Sequence, residues 1–434
     1  MIRGIPAEAW RLMAARLARS VAQGALVVDF ALYARHLGWG AGFLGLVFGG
    51  SMLFAVALTA TIGPLSDRLG RRQFLIAYEF LSILAAGIAL LSQATAPVAL
   101  AAIIGGFGRG ANGAAGPFSP AEQSWLSRFI EKRRLGHALS VNISLGFFGM
   151  GAGAVIAGIM GARQAMFVLP LAAACIALLL VLLTPDPAET ADTRAESRTR
   201  PQPEDAGADP EPDPAQQEST TRRGEHGLLW RLAGINALNG TAIGLIAPFM
   251  SWWFAAKYGV TAAAVGPALA IAFVASGVAS LAASRLTLRF GAVRTVVWMR
   301  SLGLILLFVL PFAPSFALAT ALYAVRSACN RGSAGPRQAV ALGLVRGHRR
   351  GLAASVNALS IQVPRGIAPA LAGALFAQGA LATPFLVAGL FQAGYLVLYP
   401  RAFGAHDPSR TTGEAEPWRK DTQGEGSERV SPRS

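Results

Sequence analysis

The chain is short of charge: only 14% of its residues are Asp, Glu, Lys or Arg, against roughly 25% in an ordinary soluble domain. Lysine is nearly absent, occurring only at Lys132, Lys257 and Lys420, so almost every cation is an arginine. Cysteine is limited to Cys175 and Cys329, both inside apolar segments, which leaves no disulfide framework and no metal-ligand cluster to read. A phosphate loop of the form Gly-x-x-x-x-Gly-Lys-(Ser/Thr) is missing, which excludes an ATP-driven pump. So is any nucleophile–base set, which argues against an enzyme. No cofactor and no metal site are expected.

Long apolar blocks fill the space left by the missing charge. The chain is 53% hydrophobic with a mean hydropathy of +0.47. A net charge of +15 would suit a nucleic-acid partner, but the arginines sit between the apolar blocks, where they set membrane orientation. The partners expected are therefore the lipid bilayer and a small-molecule substrate, with no nucleic acid. The N-terminus reads as a retained first helix, because the run after Arg11, Arg16 and Arg19 contains Asp29 and lacks a small-residue cleavage site.

About 20 apolar helical residues cross a bilayer. Segments of this kind lie near 12–34, 41–62, 73–93, 97–118, 138–160, 164–183, 229–254, 262–283, 293–313, 315–336, 351–376 and 381–400. The fold class expected is therefore an all-α integral membrane protein of twelve spans. Arg68, Arg71 and Arg72 follow span two; Arg128, Lys132, Arg133 and Arg134 follow span four. Arg285, Arg289 and Arg294 follow span eight, and Arg337, Arg346, Arg349 and Arg350 follow span ten. The opposite loops hold little more than Arg35, Arg163 and Lys257, so both termini are expected in the cytoplasm, and the protein in the inner membrane. The stretch 184–227 is rich in Pro, Glu, Asp, Ser and Thr and has no apolar periodicity. It reads as a disordered linker between an N-terminal bundle, 1–183, and a C-terminal bundle, 228–400, with a similar tail over 401–434.

The bundles repeat one another. Trp10-Arg11-Leu12 recurs as Trp230-Arg231-Leu232, and Gly136 to Asn142 recurs as Gly351 to Asn357. Gly116-Pro117 recurs as Gly335-Pro336, with Arg109 and Arg326 upstream of each. Six spans per repeat make the repeats parallel in the membrane, an arrangement with the substrate site near midplane between them.

Between spans two and three the chain reads Gly63-Pro64-Leu65-Ser66-Asp67-Arg68-Leu69-Gly70-Arg71-Arg72-Gln73-Phe74-Leu75. This resembles the loop signature of the major facilitator superfamily, Gly-x-Leu-(Ala/Ser)-Asp-Arg-x-Gly-Arg-(Lys/Arg)-x-x-Leu, and the resemblance covers essentially residues 10–400. It implies that Asp67 and the arginines form a latch that holds the outward-open state and breaks when the halves rock. The equivalent loop of the second half, Ser284 to Gly291, keeps arginines and a glycine but has Leu288 in the place of Asp67.

A charge at mid-span costs about 2.5–3.5 kcal/mol on insertion scales, so each one needs a reason. Asp29 on span one and Arg109 on span four are expected to pair across the cavity as a proton site. Arg109-Gly110-Ala111-Asn112-Gly113 is similar to the Arg-x-x-Gln-Gly motif of proton-coupled members, with Asn112 in place of glutamine. Glu122, at the end of span four, is expected to partner the latch arginines; Glu79 on span three is either another such partner or a second proton carrier. Spans seven to twelve contain Arg326, Arg331 and Arg365 and no acidic residue. Either an anionic substrate, pairing across the cavity or capping of broken helix ends accounts for them. Asn236, Asn239 and Trp252 or Trp253 are candidate polar and stacking contacts, the tryptophans being discounted because aromatics at a span end more often form an interfacial belt.

The function expected is a monomeric secondary transporter, proton-coupled and working by rocking of two halves. Export is slightly favoured; span five lacks the proline of the Gly-Pro-x-x-Gly-Gly motif of efflux members. The alternatives are symport of an organic anion or other metabolite, then a lipid flippase or a non-transporting sensor.

Overall fold

A computed structural model of the chain describes residues 6–69, 71–107, 122, 125–126, 129–130, 132–185, 214–343 and 350–403. No strand occurs among the described residues. Helix is what a bilayer demands, since a backbone without water must satisfy its own polar groups. The first half holds α1 (Ala7–His36), α2 (Ala41–Leu69), α3 (Arg71–Leu91), α4 (Thr95–Gly105), α5 (Lys132–Met160) and α6 (Val168–Leu182). The second holds α7 (Pro214–Ile246), α8 (Met250–Tyr258), α9 (Ala262–Phe290), α10 (Ala292–Val309), α11 (Phe316–Gly332), α12 (Ala334–Gly343), α13 (Arg350–Ala377) and α14 (Thr383–Phe403).

Among the described residues, 10 segments are long and apolar enough to cross a membrane, two fewer than expected. The shortfall is at spans four and ten. Only Thr95–Gly105 of span four is described as helix, and residues 108–118 lie outside the described residues. Span ten is split at Ser333 into α11 and α12 and carries Arg326, Asn330 and Arg331. Span seven is likewise α7 followed by α8, with a 3-10 turn at Ala247–Phe249 around Pro248, which has no N–H to give the ladder. Helix α7 also reaches back to Pro214, so residues 214–227 are helical where a disordered linker was expected. Ala215, Gln216, Gln217 and Glu218 favour helix intrinsically, and α7 simply continues into them. Residues 186–213 of that linker, and 404–434 of the tail, lie outside the described residues.

With an even number of crossings, α1 begins and α14 ends at one side, the terminal face; the opposite side is the far face. The repeat seen in sequence returns in the backbone. Spans one and five end at the far face on Gly38 (φ 81°) and Gly161 (φ 73°), and spans seven and eleven on Gly259 (φ 67°) and Gly379 (φ 77°). Each lies in the left-handed region that glycine alone enters without strain. Within the first half α1 packs on α5 and α6; within the second, α7 packs on α13 and α14. A pair of close approaches corresponds too: Gly24 lies against the Met150 carbonyl, and Gly244 against the Arg365 carbonyl.

The halves meet through two equivalent helix pairs, α2 with α13 and α5 with α9. Small residues let the backbones touch: Gly45 lies on Pro369 and Gly373, Gly49 on Gly366, and Gly158 on Gly266 and Pro267. These contacts gather toward the far face, where Phe249 of span seven stacks edge-on to Phe48 at 5.3 Å and lies 5.2 Å from Phe376. The Ser251 hydroxyl of α8 donates to the Val27 carbonyl of α1 at 2.5 Å. A Cβ added at Gly266 would stand 2.5 Å from the Ala154 oxygen and 2.8 Å from the Gly158 Cα. Gly266→Val is therefore expected to cost about 1–3 kcal/mol of stability by overpacking, read as an earlier thermal unfolding midpoint. Gly42→Ala, with nothing within 4 Å, serves as the control; equal midpoints would mean that the halves do not meet at Gly266.

Candidate functional site

Four charged side chains converge in the terminal-face part of the first half. Arg19 Nη2 donates to Glu122 Oε2 at 2.8 Å, and Arg16 Nη1 to Glu122 Oε1 at 3.2 Å. Arg19 Nη1 also lies 3.4 Å from Glu79 Oε1, and Asn142 Nδ2 of α5 donates to Glu122 at 3.4 Å. The side chains come from spans one, three, four and five, and all four charged groups are buried. Two guanidinium groups meet two carboxylates, so the cluster is internally neutral, the condition for holding charge in an apolar bundle. Glu79 is the less engaged acid, with neither oxygen hydrogen-bonded among the described residues. A cavity of about 40 Å³ lined by Arg19, Gln23, Tyr78, Glu79 and Ser82 adjoins it. That volume holds a water or a few, since one needs roughly 10–15 Å³, and it is far too small for a solute.

This arrangement was only partly anticipated. Glu122 was expected against the loop arginines, but its described partners are Arg16 and Arg19. Hydropathy starts span one near residue 12, which makes those arginines look like flanking charges. The helix instead begins at Ala7 and carries both of them into the bundle. Arg72, the one loop-motif arginine whose side chain is described, donates to the Leu182 carbonyl at 2.7 Å, while Arg11 donates to Leu183 O at 2.8 Å. Both satisfy carbonyls at the end of α6, where cations are favoured. The side chains of Asp67, Arg68 and Arg71, with Gly63 and Gly70, lie outside the described residues.

Asp29 lies on α1 among the buried residues, 1% exposed. Neither carboxylate oxygen has a hydrogen-bond partner among the described residues. It is seven positions from His36, the last residue of α1, or about 10 Å from that end at helical rise, closer to the far face than the mid-span position expected. Its expected partner Arg109, and Asn112, lie outside the described residues.

In the second half, Asn239 is fully buried with both side-chain polar atoms unpartnered among the described residues, and Asn236 Nδ2 donates to Ser360 Oγ at 3.1 Å. Arg331 Nη1 donates to Ser276 Oγ of α9 at 3.1 Å and lies over the Phe273 ring at 5.0 Å. Arg326 is buried and its Nε lacks a partner among the described residues. Arg365 is on α13, its carbonyl beneath Gly244. Trp253 is no belt residue: it is fully buried, and its Nε1 donates to Leu381 O at 3.0 Å. Sequence reading also passed over Arg300 of α10, which is fully buried, donates from Nε to Ser333 Oγ at 3.1 Å, and lies over the Tyr395 ring at 5.6 Å. A signal for it existed in the repeat, because shifting Glu79 by the offset that joins Trp10 to Trp230 lands one residue from Arg300.

The fold is shared with solved transporters. The nucleoside transporter NupG superposes with a TM-score of 0.66 at 12% identity, covering 92% of this chain and 99% of that one. A D-xylose–proton symporter gives 0.68 at 14%, covering 90% and 97%. A bacterial homologue of the human lysosomal transporter Spinster, inward-facing and unoccupied, gives 0.58 at 14%, covering 93% and 96%. Among curated protein sequences nothing matches. The family model for the Major Facilitator Superfamily matches residues 12–226 and 232–429, nearly the whole chain. A multi-pass helical membrane protein built from two equivalent bundles, the chain belongs to the Major Facilitator Superfamily of transporters.

Proposed function

We propose that the chain is a proton-coupled secondary transporter of a small molecule, with Asp29 as the proton site. The observation that carries this is the Asp29 carboxylate, buried and without a hydrogen bond among the described residues. An ionised carboxylate there is costly, so taking up a proton, or meeting a cation, relieves the strain on the state. Two residues away, the Val27 carbonyl receives the Ser251 hydroxyl of the second half. A change of charge at Asp29 is thereby placed where the halves touch, which is how proton binding would bias their rocking.

The terminal face is the cytoplasmic one on this reading, because Arg285, Arg289 and Arg294 are exposed there. The far-face contacts then correspond to closure toward the outside, and the loop over 63–75 is the latch that would engage when the halves rock the other way. The protein works as a monomer in the inner membrane. Export is the direction favoured by the span-one acid with the span-four arginine. Import by symport is the second reading, symport being the activity for which the D-xylose–proton symporter is named, and the surplus of cations in the second half suits an anionic metabolite. The test is transport in proteoliposomes with an imposed pH gradient against nucleosides, sugars, organic anions and amphipathic cations. Gradient-dependent movement of one class, stopped when the gradient is collapsed, is expected. Movement at the same rate with and without the gradient would discard the coupling.

A further inference from the structure

The two halves place their buried charges at equivalent points with opposite sign. Glu79 follows Arg71, the first residue of α3, by eight positions; Arg300 follows Ala292, the first residue of α10, by the same eight. Both are fully buried, about 12 Å inside the helix from its terminal-face end. In the first half, Arg19 of α1 approaches Glu79. In the second, the residue shifted by the Trp10–Trp230 offset is Asn239, which carries no charge. The spans of the second half offer no acid to neutralise Arg300, because no Asp or Glu occurs between Glu225 and Asp407.

The surroundings of Arg300 make the imbalance larger. Its Nε is used on Ser333, but Nη1 and Nη2 are buried without a hydrogen-bond partner among the described residues. Arg337, whose Nε donates to the Ser333 carbonyl at 3.4 Å, is a second cation close enough to act on Arg300. The Tyr395 ring lies beneath Arg300, and the Arg337 guanidinium lies close enough to the Tyr395 hydroxyl to donate to it. The aromatic face offsets part of one positive charge, but it cannot accept the two Nη forks. Spans nine and twelve, which supply Arg300 and Tyr395, pack only within their own half among the principal helix contacts, so this is not the cavity between the halves.

We infer that the second half binds an oxyanion, a phosphate or carboxylate group, held by the Nη1 and Nη2 donors of Arg300 with Tyr395 and Arg337 beside it. A planar guanidinium with both outer nitrogens free presents parallel donors that match two oxygens of such a group. The bound anion does in the second half what Glu79 and Glu122 do in the first: it neutralises the buried arginines and ties spans nine, ten and twelve together. Its source is either a free anion or the phosphate of an anionic lipid of the terminal-face leaflet, which shares the chemistry.

The test uses the full-length protein, purified in detergent and stripped of lipid, and reads the thermal unfolding midpoint. Inorganic phosphate is titrated at constant ionic strength against chloride, and a short-chain phosphatidylglycerol in a parallel arm against its zwitterionic phosphatidylcholine counterpart. A saturable rise of the midpoint is expected in at least one arm. Saturation with phosphate assigns the free anion, and saturation with phosphatidylglycerol alone assigns the headgroup. Arg300→Gln should abolish the rise, Arg300→Lys and Tyr395→Phe should each weaken the apparent affinity by tenfold or more, and Arg231→Gln, an exposed cation, should leave it intact. No rise in either arm overturns the site, as does an equal rise in Arg300→Gln. Should Arg300→Gln not fold, an unchanged affinity in Tyr395→Phe overturns it. No step depends on transport, so the outcome is independent of whether Asp29 carries the proton.

Discussion

Asp29→Asn is expected to lower gradient-driven accumulation in proteoliposomes by on the order of tenfold or more, while exchange of labelled for unlabelled substrate without a gradient continues. The amide keeps the size of the carboxyl group but cannot gain or lose a proton, so it fixes the neutral form of a group buried at 1% exposure. Coupling needs the two forms to favour different arrangements of the halves. If one form is lost, the rocking that exchange requires survives, but the proton no longer drives it. Gradient-driven accumulation in the asparagine variant equal to that of the native protein would remove Asp29 from the mechanism. Loss of exchange together with accumulation would instead make it a structural residue.

Glu122→Gln is expected to have the largest effect on stability, about 3–5 kcal/mol, because it strands two buried guanidinium groups. Glu122 takes Arg16 at 3.2 Å and Arg19 at 2.8 Å, and spans one and five lose their common partner with it. Glu79→Gln should cost less, since Glu79 meets only Arg19 among the described residues, at 3.4 Å and without a hydrogen bond. Arg16→Gln combined with Glu122→Gln should recover part of the loss, because removing both members leaves less charge to bury. Denaturant or thermal unfolding of the purified variants orders the three; a Glu79→Gln cost equal to that of Glu122→Gln would refute the partner assignment.

The architecture was legible because apolar length and arginine placement are properties of single segments, and the repeat is a property of the chain read against itself. The position of the charged cluster was not legible for a corresponding reason. Whether Arg16 and Arg19 flank the membrane or sit inside the bundle depends on which neighbours cover them, and hydropathy along one helix carries no information about that. Trp253 was misread in the same way: its place near a span end suggested a belt, but Phe385 packs against it at 4.7 Å. Arg300 was hidden by company, lying close after Arg285, Arg289 and Arg294, which are exposed. Span ten looked uniform because Ser333 does not break helical periodicity, though it ends α11 in the structure.

The close approaches of Gly24 to the Met150 carbonyl and of Gly244 to the Arg365 carbonyl are contacts of backbone with backbone. One equivalent position carries a thioether and the other a guanidinium, and the helices meet in the same way. The scaffold is therefore indifferent to what these side chains are, and a protein engineer who keeps the glycines can exchange the residues opposite them. Duplication of an ancestral bundle leaves two copies of one frame, and this frame permits each copy to be refitted without rebuilding the other.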